Sequence, residues 1–238
     1  MIIIDAKWEE RNLGIKVQEV QIERKDSLQD ISQMILKLDS KYQVIKVPVK
    51  RVDVHFLLAN RGFVFIEAMN KLYFDIEKSN VEDKYKSQNL NLSLMNQDEI
   101  NNMIKQIEKN LFNTDRVSLD INFSKEIAAK RYIGWVKDEQ AKKSWFIKCM
   151  LNEKQIGFLA IKKMSNKEYD NFLYGVYPEF RNQGYAIKMT YKLIEKLKEI
   201  GGEKLYTNIS SNNESSLFSR ARHGFIISDI TYVFVKHI

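Results

Sequence analysis

The sequence predicts an α/β protein in two parts built on a mixed sheet, and three observations carry that prediction. Short runs that alternate apolar and polar residues take turns with longer runs whose apolar residues recur every three or four positions, the periods of strands and amphipathic helices. Over 78–91, "KSNVEDKYKSQNLN", both periods and the aromatic density of the flanks lapse, which marks a link. At 176–190, "VYPEFRNQGYAIKMT", a strand meets Pro178 and passes into a long helix through a stretch containing Gly184. The expected division is therefore 1–78, a small α/β part; 79–91, a linker; and 92–238, a larger α/β part.

In the first part, "LGIKVQEVQI" (13–22) alternates as a strand, with a slip of frame that allows a bulge. Ser27, with Asp30 three residues on, opens a helix that places Leu28, Ile31, Ile35 and Leu38 at helical spacing. "YQVIKVPV" reads as a strand, "RVDVHFLLANRG" as a short helix ended by Gly62, and 63–77 as a further strand or bent pair. In the second part "LNLSLM" (90–95) alternates. "QDEINNMIKQIEKNLF" (97–112) is a helix with Ile100, Ile104, Ile107 and Leu111 on one face, and Ser124 caps another over 124–139. "SWFIKCMLN" and "QIGFLAIKKM" form a hairpin about Glu153, and "DNFLYGVY" (170–177) is the next strand. A helix over 183–200 ends at Gly201–Gly202; then come strand "KLYTNIS", helix "NESSLFSRARHG" and the extended "FIISDITYVFVKHI". "LLANRGFVFIE" (57–67) echoes "SRARHGFIISD" (219–229), although any helix–Gly–strand joint reads in this way.

Composition narrows the function classes. With 238 residues, 44% apolar, the chain can build substantial cores. The net charge of +7 favours anionic partners, but the Lys residues alternate with Glu along helices as solvated faces do. RNA binding lacks the basic strands interleaved with aromatics that it needs. The single Cys149 makes no internal disulfide, which fits a reducing compartment. No apolar run approaches about 18 residues and "MIIID" is too short for a signal segment, so a soluble, cytoplasmic protein without a membrane partner is expected.

The chemistry concentrates at 176–190. Helix starts favour Asp and Glu because their first N–H groups are unpaired and the dipole is positive there. This one has neither in its first turn, so the amides of Asn182, Gln183, Gly184, Tyr185 and Ala186 can converge on an anion, with Gly184 allowing close approach. Arg181 adds a fixed charge suited to phosphate.

This joint resembles the signature of the GNAT N-acetyltransferase superfamily, Gln/Arg-x-x-Gly-x-Gly/Ala after a Val-x-Pro step. It stands here as Arg181-Asn-Gln-Gly184-Tyr-Ala186 behind Val176-Tyr-Pro178, and the resemblance covers roughly 90–238. It implies a central sheet of GNAT type, with the first part as a reduced form of the same fold. It implies acetyl-CoA as acyl donor and no metal: pyrophosphate on the 181–186 turn, and the pantetheine arm along Gly175, Val176 and Tyr177. Asn208, Asn213 and Ser216 are the further cofactor contacts it implies. Many relatives carry a Tyr four residues before the Gly-Phe pair, and it protonates the departing thiolate. Here Gly224-Phe225 is present but that position is Arg220, a charge able to stabilise a thiolate and unable to act as an acid near neutral pH. Tyr232 and Tyr206 are weaker candidates for the acid. None of His55, His223 and His237 stands in a convincing place for a base, and Cys149 has no paired His.

The stretch 111–139 also resembles two-domain GNAT enzymes that acetylate nucleotide-linked amino sugars. That resemblance implies an acceptor site walled by Phe112, Asp115, Arg116, Tyr132 and Trp135, with Arg116 reading phosphate or hydroxyls; the plainer alternative is an Asp N-cap and a surface ion pair. The expected function is direct acetyl transfer to a small-molecule amine by a monomer or homodimer. The rivals are a peptide or protein amine as acceptor, and a CoA-binding module without catalysis.

Overall fold

The structure, a computed structural model, describes residues 1–78 and 89–238. In chain order the elements are β1 (Ile2–Asp5), α1 (Lys7–Leu13), β2 (Val17–Gln21), α2 (Leu28–Ile35), β3 (Tyr42–Pro48), α3 (Val52–Asn60), β4 (Val64–Asp75), β5 (Leu90–Leu94), α4 (Gln97–Glu108), α5 (Arg116–Leu119), α6 (Lys125–Ala141), β6 (Trp145–Leu151), β7 (Lys154–Lys163), β8 (Glu168–Val176), α7 (Tyr185–Glu199), β9 (Lys204–Ser210), α8 (Glu214–Arg222) and β10 (Ile226–His237). The mixed α/β architecture is the expected one. Of the expected linker 79–91, residues 79–88 lie outside the described residues, and Leu90 and Asn91 already belong to β5.

The local signals act as their chemistry requires. Ser27, Asn96 and Ser124 cap α2, α4 and α6, each accepting from the backbone N–H three residues on, and Asn96 with Glu99 completes a capping box. Two elements go beyond the sequence reading. "IIID" pairs as β1 along β2, and Lys7–Leu13 forms α1, closed by Gly14 in the left-handed region. The stretch 63–77 is one long strand, not a bent pair; the register shift that skips Ile66 opposite Val233 and Phe234 absorbs the break in alternation.

One ten-stranded sheet joins both ends of the chain in the order β1-β2-β3-β10-β4-β9-β8-β7-β6-β5. The last strand thus lies between two strands of the first part, and β4 lies between β10 and β9. About the antiparallel β10–β4 pair the two flanks correspond: β2-α2-β3-α3-β4 on one side, β8-α7-β9-α8-β10 on the other, with β2–β3 and β8–β9 both parallel. The echo noted in sequence is a true repeat. Gly62 and Gly224 both adopt positive φ, 78° and 86°, and both following Phe N–H groups bond back to the residue four before the glycine, Leu58 and Arg220.

Helices cover both faces. Leu72, Phe74, Leu159 and Ile161 pack with Met189, Leu193 and Ile194 of α7, and Ile45, Val47 and Phe234 pack with Ile31, Ile35, Val54 and Leu58 of α2 and α3. On the opposite face Phe158 and Ala160 meet α4 and α6, while Val44, Val233 and Val235 meet α1, α5 and α6. Alternation along β3 and β7 separates the two layers. Gly134 lets α1 close on α6, because a Cβ there would fall 2.2 Å from Asn12 Oδ1.

Candidate functional site

The repeat makes the two halves comparable, and they differ at one place. In the first half β2 and β3 pair along five residues, Val17–Tyr42 to Gln21–Lys46. In the second, β8 and β9 pair only from Glu168–Lys204 to Asp170–Tyr206, although β8 runs to Val176 and β9 to Ser210. The two strands therefore splay apart towards their C-terminal ends. Near the point of divergence β8 carries a bulge against β7, where Phe172 is skipped in the register, and Asn171 Nδ2 donates to the carbonyls of Ala160 and Leu173 at 3.1 and 3.0 Å. Thr207 Oγ1 fixes the hinge by donating to the Asn171 carbonyl at 3.0 Å.

The helix that follows each splaying or paired strand differs in the same sense. α2 covers its own start with Ser27 and Asp30. α7 begins at Gly184, φ 76°, with no side-chain cap and no acidic residue in its first turn, and Asn182 ahead of it also has positive φ, 61°. Its first N–H groups have no intrahelical partner. A Cβ on Gly184 would meet nothing within 4 Å, so the turn opens on space rather than on packed side chains. Those features fit a pyrophosphate, as the sequence reading requires of Asn182, Gln183, Gly184, Tyr185 and Ala186. Arg181 is also tied to the main chain at this turn. Its Nε donates to the Val176 carbonyl at 3.2 Å and its Nη2 to the Leu111 carbonyl at 2.9 Å, so the guanidinium laces the turn to β8 and to the end of α4. Its charge remains at the turn, with two of its five N–H groups engaged.

Gly175 and Val176 stand at the open end of β8. A Cβ on Gly175 would press on Leu111, Phe158 and Phe112 at 3.0–3.5 Å, so glycine here lets that aromatic layer close over the strand. Tyr177 OH accepts from Gln155 Nε2 at 2.9 Å, and burial pushes its phenol up to about 12. Asn213 caps α8 by accepting from Ser216 N–H at 3.4 Å, which places both at the helix start beside the β9 end. Asn208 is exposed, on the sheet face opposite α7, and so stands apart from the 181–186 turn.

Arg220 is 3% exposed. Its guanidinium lies 4.5 Å from the Tyr174 ring and 5.1 Å from that of Phe225, and Nη1 donates to Thr190 Oγ1 of α7. Nη2 is buried and has no hydrogen-bond partner among the described residues. Tyr232 is not brought to this opening: on β10 it pairs with Val47 and Ala68 and packs edge-on against His55, 4.8 Å away, in the first half. Tyr206 donates to Glu168. Burial raises the Cys149 thiol, so a thiolate nucleophile is disfavoured.

The expected acceptor residues form two groups. Phe112, Tyr132, Trp135 and Phe172 make a continuous aromatic wall, with centroids 4.7, 6.4 and 5.4 Å apart in turn, beside the open end of β8. Asp115 caps α5 and accepts from Tyr132 OH at 2.9 Å. Arg116 is withdrawn. Together with Arg131 it grips Glu9 of α1, fully buried, while Trp8 covers the Arg131 guanidinium at 5.3 Å. Burial alone would raise the Glu9 carboxyl; the two guanidiniums reverse this and hold it at about 2. The sequence reading missed Glu9 and Arg131 because α1 itself was missed.

The parallel central strands β8 and β9 thus splay beside a glycine-lined helix start that has no side-chain cap among the described residues. Residues 108–225 match the model of the Acetyltransferase (GNAT) family. The whole chain is similar in fold to a GCN5-related N-acetyltransferase from Sphaerobacter thermophilus, at 7% identity and a TM-score of 0.66, over 99% of this chain and 75% of that one. It is also similar to a tandem GNAT protein from the clavulanic acid biosynthesis pathway, at 12% identity and a TM-score of 0.57, over 93% and 75%. A GCN5-related N-acetyltransferase from Kribbella flavida aligns at 10% identity and a TM-score of 0.54, over 93% and 81%. No curated protein sequence matches. Among the described residues no helix is long and apolar enough to cross a membrane.

Proposed function

We propose that this protein is an acetyl-CoA-dependent N-acetyltransferase acting directly on a small primary amine. The observation that carries the reading is the contrast within the repeat: the second half has the strand splay and the open helix start, and the first half, built on the same plan, has neither. Acetyl-CoA supplies the activated acyl carbon. The 182–186 amides and the α7 dipole hold its pyrophosphate, and Gly175 and Val176 line the arm. Arg220 faces the departing sulfur with its free Nη2 and stabilises negative charge there without giving up a proton. A nucleotide-linked amino sugar as acceptor loses its main support, since Arg116 is committed to Glu9. The acceptor is therefore proposed as an amine of another small molecule, entering beside the Phe112–Tyr132–Trp135 wall. A CoA-binding module without catalysis is the second reading, favoured by Arg220 in place of a Tyr acid.

Thiol release from acetyl-CoA across a panel of primary amines, glucosamine and diamines among them, separates the two. Turnover is expected, and binding without turnover would favour the module. Independently, acetyl-CoA at a hundredfold excess over its dissociation constant should stabilise the fold by about 2.7 kcal/mol; a melting scan without a shift would overturn both. Gly184→Val, strained at positive φ and filling the space over the turn, should abolish that shift while the protein still unfolds cooperatively. A normal shift in this variant would mean that the pyrophosphate lies elsewhere.

A further inference from the structure

On the sheet face opposite α7, residues of β4 and β9 alternate into a single surface. Lys71 pairs with Asn208 and Met69 with Ser210, and Glu67 follows two residues beyond Met69. Lys71 and Asn208 are exposed, Ser210 is buried, and Glu67 is 2% exposed. The surface thus leads from solvent to a carboxylate. Ser210, at the open end of β9, hydrogen-bonds to Glu67, yet Oε2 has no partner among the described residues although it is fully buried. A buried acceptor oxygen left empty costs stability unless something fills it. Arg116 Nε is orphaned in the same way. The groups that act on Glu67 are Asp115 and Arg116 around the start of α5 and Arg131 on α6; Tyr132 of the acceptor wall feels its charge in turn. Tyr132 packs against Phe112, which borders Gly175 at the end of β8.

Resting on the acetyltransferase reading, we infer that Glu67 receives the acceptor amine, binding its ammonium through Oε2 and taking one proton from it. The carboxylate comes from β4, the strand that the first half lends to the second. One N–H⁺ proton passes to Glu67, and the freed lone pair forms the N–C bond to the thioester carbonyl as the C–S bond breaks. A second proton from nitrogen leaves with the sulfur as the CoA thiol. Burial holds the Glu67 carboxyl above the ordinary carboxylate range, and Ser210 with the two guanidiniums reverses this only in part. A base poised upwards in this way is suited to an ammonium near neutral pH.

The experiment compares Glu67→Gln with the native chain, using two acceptors and the titration of the carboxyl itself. With glucosamine, kcat/KM should fall by about 10²–10⁴ and lose its acidic limb. With hydroxylamine, already neutral at pH 7, the loss should be far smaller. The acetyl-CoA melting shift should be unchanged. Tm near neutral pH should hold or rise, because a carboxyl with raised pKa contributes its stability at low pH and loses it as pH rises through the folded value. Equal losses with both acceptors, or a fall in Tm, would assign Glu67 a merely structural role and overturn the inference. If the native chain binds acetyl-CoA and acetylates nothing, the acetyltransferase reading fails instead. Glu67 is then judged by infrared difference spectra against Glu67→Gln: its carboxyl band should ionise when glucosamine is added to the CoA-bound protein, and an unresponsive band overturns the ammonium site.

Discussion

Glu9→Gln is expected to remove about 3–5 kcal/mol of stability, the scale of breaking a buried ion pair from one side. Glu9 is fully buried, and the carboxylate is shared by Arg116 and Arg131, both themselves buried. The amide keeps the shape and removes the charge, leaving two guanidiniums to repel one another away from water. Against a typical total of roughly 5–15 kcal/mol this is a large part, so Tm should drop steeply and α1 should lose its hold on α5 and α6. Urea unfolding at constant m checks it; a loss below about 1 kcal/mol would mean that the three charges are solvated. Acid should reproduce the effect. The Glu9 carboxyl titrates at about 2 in the folded chain against 4.5 as its ordinary value, so its contribution is whole above pH 4.5 and is lost as pH falls towards 2. The native protein should therefore lose more stability across that window than Glu9→Gln does.

Arg220→Met is expected to act in the opposite sense on stability and activity. The guanidinium has one hydroxyl partner, two aromatic rings and no carboxylate among the described residues, and the equivalent place in the first half holds Leu58, fully buried. An apolar side chain of similar length therefore fits, and Tm should stay level or rise. Transfer to amines should nevertheless fall by about ten- to a thousandfold, the scale of removing one electrostatic stabiliser, while the acetyl-CoA melting shift persists. Unchanged turnover would remove Arg220 from the chemistry. Activity gained by Arg220→Tyr in an otherwise inactive chain would instead favour the binding module.

What the sequence determined by itself was local. The caps at Ser27 and Ser124, the turns at Gly62, Gly201 and Gly224, and the open start of α7 depend on residues within about four positions, so periodicity and cap chemistry suffice to read them. Phe112, Tyr132 and Trp135 of the aromatic wall were named through the family resemblance, whereas Phe172 joins them from β8 only in the folded chain. Only the tertiary structure decided the insertion of β10 between β3 and β4, since an alternating strand carries no mark of its partners. It also decided that Arg116 closes on a carboxylate 107 positions away rather than facing an acceptor, and that Arg181 gives two N–H groups to carbonyls, one of them 70 positions away. A guanidinium seeks whichever acceptor lies within reach after packing, and that distance is set by the sheet that gathers both ends of the chain.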